Sequence, residues 1–141
     1  MSALLLILAA YLQALSVSGW ASGWAAGLQC LSLSVLMSFA LKSRNLKSLA
    51  LGTWLFTATW LLLSVEWIHI SLSRYGGMPA PMAWLAVLLL SGGLAMYHAL
   101  AICMAKRITH QASWMGQALS LACAWTLAEL ARATWFTGFP W

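Results

Sequence analysis

The first charged side chain in this sequence is Lys42, and the later uncharged runs cover residues 48–65, 75–105 and 108–128. A hydrocarbon core about 30 Å thick takes roughly 20 apolar helical residues, so runs of this length point to membrane-crossing helices. The opening run, residues 1–41, is too long for one crossing, and the small, turn-forming stretch Ser16-Val17-Ser18-Gly19 divides it into a hairpin. The expected fold is all-α: a polytopic membrane helical bundle of about five transmembrane helices, near residues 3–18, 20–41, 48–68, 81–104 and 112–130. A signal peptide over residues 4–15 would need a positive region ahead of it, and none precedes it.

Composition agrees. Of 141 residues 63% are hydrophobic and 6% charged, against about a quarter charged in soluble domains. The net charge of +5 reads as a topology signal, because Lys and Arg in short loops stay cytoplasmic. Lys42, Arg44 and Lys47 fall between spans two and three, and Lys106 and Arg107 between spans four and five. Only Arg74 and Arg132 fall on the other side, which predicts a cytoplasmic N-terminus. A nucleic-acid partner would require a soluble basic surface, which this composition excludes.

Helix arithmetic then places the two acids. Glu66 lies 19 positions after Lys47 and Glu129 lies 18 after Gln111, about 27 to 29 Å at 1.5 Å per residue. Both are expected at the outer interface, level with His69, Arg74 and Arg132. Six tryptophans, Trp20, Trp24, Trp67, Trp84, Trp135 and Trp141, join them there and read first as an anchoring belt. Lining a lipid site is the narrower alternative for some of them.

Several constellations have plain structural readings. Glu66 and His69 have the spacing used in di-iron bundles, but such sites need two copies and further carboxylates, so no metal or other cofactor is expected. Cys30, Cys103 and Cys123 sit inside spans without metal-ligand spacing and are expected to be buried and inert. His98, in span four, is expected to hydrogen-bond a neighbouring helix. Gly19, Gly23 and Gly27 recur every four residues, a pattern that lets another helix approach closely, and Ser91-Gly92-Gly93 with Ala95 offers a similar surface.

Two segments go beyond generic membrane composition. In Tyr75-Gly76-Gly77-Met78-Pro79-Ala80-Pro81 the glycines allow positive φ and Pro81 suits the first turn of a helix. In the second, Glu129 precedes Arg132 by three residues, so the two can pair on one helix face, and the chain runs on to Thr137-Gly138-Phe139-Pro140-Trp141. As generic features these are a tight turn and an interfacial ion pair followed by a helix end.

Together, the Tyr-Gly-Gly-x-Pro-Ala-Pro loop and the Leu-x-Glu-x-x-Arg stretch leading to Thr-Gly-Phe-Pro-Trp resemble the N-terminal membrane region of the bacterial apolipoprotein N-acyltransferases. Glu66 departs from the family pattern, which has an aromatic or small residue there. The resemblance implies an inner-membrane enzyme that moves an acyl chain from a phospholipid donor to the α-amino group of an apolipoprotein's lipidated N-terminal cysteine. In the family this chemistry belongs to a nitrilase-like domain with a Glu base, a Lys and a Cys nucleophile. None of the three maps onto this sequence, so residues 1–141 are expected to be one transmembrane domain, a truncated or partial chain without transferase activity alone. On this reading Tyr75, Gly76, Gly77, Pro79, Pro81, Glu129, Arg132, Gly138, Phe139, Pro140 and Trp141 are structural or substrate-facing, and the two motifs pack together as an outer platform. The alternative is a stand-alone membrane scaffold or transport-related subunit. A cysteine engineered beside Gly77 should react with an impermeant label added outside the cell; labelling solely from the cytoplasm would refute the topology.

Overall fold

The computed structural model describes residues 3–18 and 23–135. Six helices follow one another: α1 (Ala3–Val17), α2 (Ala25–Lys42), α3 (Leu46–Val65), the short α4 (Trp67–Ile70), α5 (Ala80–Ile108) and α6 (Trp114–Thr134). A π-helical turn, Ser71–Tyr75, leads from α4 toward α5, and no strand occurs among the described residues. Local chemistry sets the boundaries. The Asn45 side chain caps α3 by accepting from the Lys47 amide at 2.9 Å, and Ser113 caps α6 by accepting from Gly116. Pro79 stands at the N-cap of α5 with Pro81 in its first turn, where no amide hydrogen is needed.

Helix α5 continues to Ile108, past the expected end near 104. Lys106 and Arg107 occupy its last turn, where cations offset the carbonyl end of the helix dipole instead of ending the helix. Helix α2 starts at Ala25, later than the expected 20, after a turn at Gly23 and Trp24. Three helices, Ala25–Lys42, Leu46–Val65 and Ala80–Ile108, are long and apolar enough to cross a membrane. Helix α1 is apolar but has 15 residues, and α6, although it has 21, is less hydropathic because it carries Gln117, Glu129 and Arg132.

Helix α3 is the hub, packed on α5 and on α1, while α2 packs on α1 and α6 on α5. Phe56, Leu36, Leu49, Leu61, Ile102 and Leu121 fill the centre. Two hydrogen bonds stitch neighbours together: Ser32 Oγ donates to the Ala9 carbonyl at 2.6 Å, and Trp54 Nε1 to the Gly92 carbonyl at 2.9 Å. Outward, Leu4, Leu85, Leu89, Met104, Leu119 and Leu127 are exposed. An apolar exterior of that breadth suits lipid and not water.

Among the described residues, no neighbouring helix approaches Gly23, just before α2, or Gly27 within it. A Cβ on Gly23 or Gly27 would meet nothing within 4 Å among the described residues, because that face of α2 turns away from α1; Gly19 lies outside the described residues. Close approach occurs instead at Gly52 of α3, where a Cβ would collide with the Phe39 ring, and at Gly92 of α5, against Trp54. The cysteines also differ from expectation: Cys30 and Cys123 are exposed on the outside of the bundle and Cys103 is half-buried. Spacing in sequence places a thiol within a span but not on its core-facing side.

Gly52→Val should lower the unfolding midpoint in detergent, in line with about 1 to 3 kcal/mol for overpacking a filled core. Gly93→Ala, where a Cβ meets nothing within 4 Å, should leave it unchanged or raise it.

Candidate functional site

One carboxylate bridges two helices inside the bundle. Glu129 of α6 accepts from His98 Nε2 of α5 through Oε1 at 2.7 Å, and from Arg132 Nη2 through Oε2 at 2.5 Å. A carboxylate only accepts, so Nε2 carries the proton of the first bond. His98 is fully buried and Arg132 is 4% exposed, whereas the Glu129 side chain is 30% exposed. His98 therefore bonds a neighbouring helix as its position in a span suggested, and the i, i+3 spacing of Glu129 and Arg132 makes their ion pair.

Aromatic rings enclose this group. Trp60 of α3 and Trp125 of α6 stack with centroids 5.9 Å apart, and the His98 ring lies 4.4 Å from Trp125. The Arg132 guanidinium carbon stands 5.9 Å from the Trp60 ring centroid, within cation–π range. His98 Nδ1 and Trp60 Nε1 are buried without a hydrogen-bond partner among the described residues. Trp60 and Trp125 were not singled out from sequence. The signal that could have found them is their position inside spans, away from the ends where tryptophans anchor.

Helix positions place the Glu129 contact along the bundle. His98 lies 10 positions before Ile108 and Glu129 15 after Trp114, about 15 and 22 Å from the helix ends that share the 109–113 turn. Glu129 is also 5 positions before Thr134, about 8 Å from the other end of α6, so the contact lies toward the end of that helix remote from the 109–113 turn. Helix α5 is about 43 Å long, and Glu129 points inward toward it. A charge left unpaired among apolar helices is costly, and the two bonds and the guanidinium offset that cost.

The other motif forms a turn whose glycines have distinct reasons. Gly77 has φ +65, in the left-handed region, while Gly76 has φ −86 and a Cβ there would fall 2.7 Å from the Leu72 carbonyl oxygen. The Met78 amide donates to that carbonyl at 3.1 Å, and the Pro79 carbonyl accepts from Met82 and Ala83, starting α5. Tyr75 is 84% exposed. Contacts of α4 and the π-helical turn run to α5, and those of α6 run to α5 and α2. The rest of the second motif, Gly138, Phe139, Pro140 and Trp141, lies outside the described residues, as do Trp20 and the expected platform contacts made by residues 136–141. Trp24, Trp67, Trp84 and Trp135 are exposed, as an anchoring belt requires.

Chemically, both Glu129 oxygens are engaged, so this carboxylate is not poised as a base or nucleophile. No three of His, Cys, Asp and Glu come together among the described residues. The Glu66 and His69 side chains do not pair; the His69 ring stacks on Trp84 at 4.4 Å. Beside the network, α5 and α6 form an apolar groove of about 430 Å³ lined by Tyr97, Leu100, Met104, Leu127, Ala131 and Trp135. The arrangement is a buried ionic clasp next to a lipid-facing groove.

Comparison with known proteins bears on what such a bundle is for. The sequence model described as "Apolipoprotein N-acyltransferase N-terminal domain" matches residues 9–141. An apolipoprotein N-acyltransferase of Ralstonia nicotianae is 40% identical over 116 residues, which cover 81% of this chain and 22% of the relative. That of Nitrosomonas europaea is 33% identical over 136 residues, 96% of this chain and 27% of the relative. That of Verminephrobacter eiseniae is 46% identical over 88 residues, 61% of this chain and 16% of the relative. The chain thus spans about a quarter or less of the length of these curated relatives.

A double-mutant cycle on His98→Ala and Glu129→Ala, read by unfolding in detergent, should give a coupling of about 0.6 to 1.7 kcal/mol, the range of interhelical polar contacts in membranes. Additive effects would mean that the contact does not form.

Proposed function

The chain belongs to the apolipoprotein N-acyltransferase family, and on that premise we propose that it is the membrane-embedded N-terminal part of an enzyme that carries an acyl chain from a phospholipid to the N-terminal cysteine amine of an apolipoprotein. The observation that carries this reading is the match over residues 9–141, which takes in the 75–81 loop, Glu129 and Arg132. The chemistry belongs to parts of the protein beyond this segment, and the bundle supplies anchorage and an outer surface open to lipid. The groove between α5 and α6 suits an acyl chain in size and apolar lining.

In this proposal the helices make five crossings of the bacterial inner membrane with the N-terminus in the cytoplasm. Clustering of Lys42, Arg44, Lys106 and Arg107 at one end of the bundle supports that orientation. Helix α1 spans about 22 Å, so its crossing requires flanking residues or local thinning of the bilayer. The 75–81 turn and residues 129–141 then share the outer side, where they support the domain that follows. Tyr75, Gly76, Gly77, Pro79 and Pro81 shape the turn, while Glu129 and Arg132 hold α6 in register with α5.

A chimera tests the assignment. Residues 9–141 of this chain, exchanged for the matching segment of the Ralstonia nicotianae relative, should support N-acylation of a lipoprotein in cells depleted of their own enzyme. A chimera that reaches the membrane at the parent's level yet yields no N-acylated product would overturn the proposal. In the working chimera, Glu129→Ala should lower folded yield; unchanged yield with lost turnover would instead assign Glu129 a substrate role.

A further inference from the structure

At the opposite end from the 75–81 turn, the ends of α2 and α5 and the starts of α3 and α6 border an open cavity of about 890 Å³. Its lining brings Lys42 and Arg44, from one turn of the chain, together with Lys106, Arg107 and His110 from another, and Gln117 from α6. Topology alone requires these cations to lie on one side of a membrane, but not to converge on one cavity. Dipole compensation accounts for part of the pattern, since Lys42, Lys106 and Arg107 occupy the last turns of α2 and α5.

The cations divide by role. Lys106 Nζ donates to the Leu41 carbonyl at 2.8 Å and to Gln117 Oε1 at 3.1 Å, tying α2, α5 and α6 into a wall. Lys42, Arg44 and Arg107 are exposed and make no side-chain hydrogen bond or ion pair among the described residues. No acidic side chain among the described residues is near enough to balance them. The chain has two acids: Glu66 lies 20 positions along from Leu46 and Glu129 15 along from Trp114, about 30 and 22 Å away. Both distances exceed the screening length of about 8 Å at physiological salt. Neither Glu66 nor Glu129 balances these cations, which leaves them open to an anionic ligand.

A second feature says in what form. Between α3 and α5 runs an apolar groove of about 620 Å³, lined by Leu51, Trp54, Met96, Leu100 and Cys103 with Lys47 at its end. It abuts the cavity where Cys103 Sγ lies 3.8 Å from the carbonyl of Leu46, a cavity-lining residue. A cationic site continuous with an apolar groove at a membrane surface matches an amphiphile better than a free anion. We propose that this end of the bundle binds an anionic glycerophospholipid, its phosphate among Lys42, Arg44 and Arg107 and one acyl chain along the α3–α5 groove. The site lies at the other end of the bundle from the 75–81 turn. It rests on the bundle spanning a membrane and not on the acyl transfer.

The test takes the protein at its natural length, equilibrates it with equal amounts of phosphatidylglycerol and phosphatidylcholine in detergent, and measures the lipids that remain bound. Phosphatidylglycerol should be enriched at least tenfold, with about 150-fold as the ceiling for three basic residues at roughly 1 kcal/mol each. Arg44→Gln and Arg107→Gln each leave the other cations of this end to hold the orientation, and each should lower the enrichment about fivefold. Leu51→Trp, which fills the groove, should also lower it, and Arg74→Gln, at the far end, should not. Equal retention of both lipids, or wild-type enrichment in both arginine variants, would overturn the proposal. If inorganic phosphate displaces phosphatidylglycerol and stabilises the protein equally, the cavity takes a free anion and the lipid assignment fails. Labelling beside Gly77 reports separately whether the membrane topology itself holds.

Discussion

A carboxylate inside an apolar bundle must have partners, and the packing of the C-terminal half depends on how Glu129 is satisfied. It accepts from His98 on α5 and from Arg132 on its own helix, and Trp60 from α3 covers the guanidinium. These contacts relate α3, α5 and α6 to one another, so that one ionic group and two indoles set the register of three helices. The α1–α2 hairpin is held by other means, with Ser32 bonded to the Ala9 carbonyl and Phe39 seated against Gly52. Membrane interiors supply little hydrophobic drive between helices, so close packing and polar contacts of this kind carry the association.

This arrangement separates two kinds of motif residue. Gly76 and Gly77 are needed for the backbone, one because a Cβ would strike the Leu72 carbonyl and the other because its φ is positive. Pro79 and Pro81 start a helix. Glu129 and Arg132 act through charge, in the last turns of α6. Membership of the acyltransferase family places these features in a membrane domain, and their geometry assigns them to shaping that domain; the described residues do not assemble a nucleophile with its base.

Much of the architecture was legible because charges are scarce. Gaps between Lys42, Lys47, Glu66, Arg74, Lys106 and Glu129 delimit the long helices to within a few residues, and the Asn45 and Ser113 caps sharpen two starts. What was misread shares one cause. Gly23 and Gly27 have the spacing of a packing stripe but meet no neighbour among the described residues, and Cys30 and Cys123 lie in spans but on the outside. Periodicity shows that residues share a face without showing which neighbour that face meets. Trp60 and Trp125 were missed for the same reason, since an indole at an interface and one in the core look alike in sequence.

The sequence by itself determined an all-helical membrane fold, the positions of its turns, the pairing of Glu129 with Arg132, and the resemblance carried by the 75–81 loop and the 127–141 stretch. These follow from hydrophobic length, charge spacing and local stereochemistry, which act along the chain. Only the tertiary structure decided that His98 meets Glu129, that Gly52 and Gly92 make the close approaches, and that cations from two separate turns surround one cavity next to an apolar groove. Those contacts join residues 13 to 65 positions apart, and rotation and tilt of each helix about its neighbours, which no local pattern specifies, bring them together.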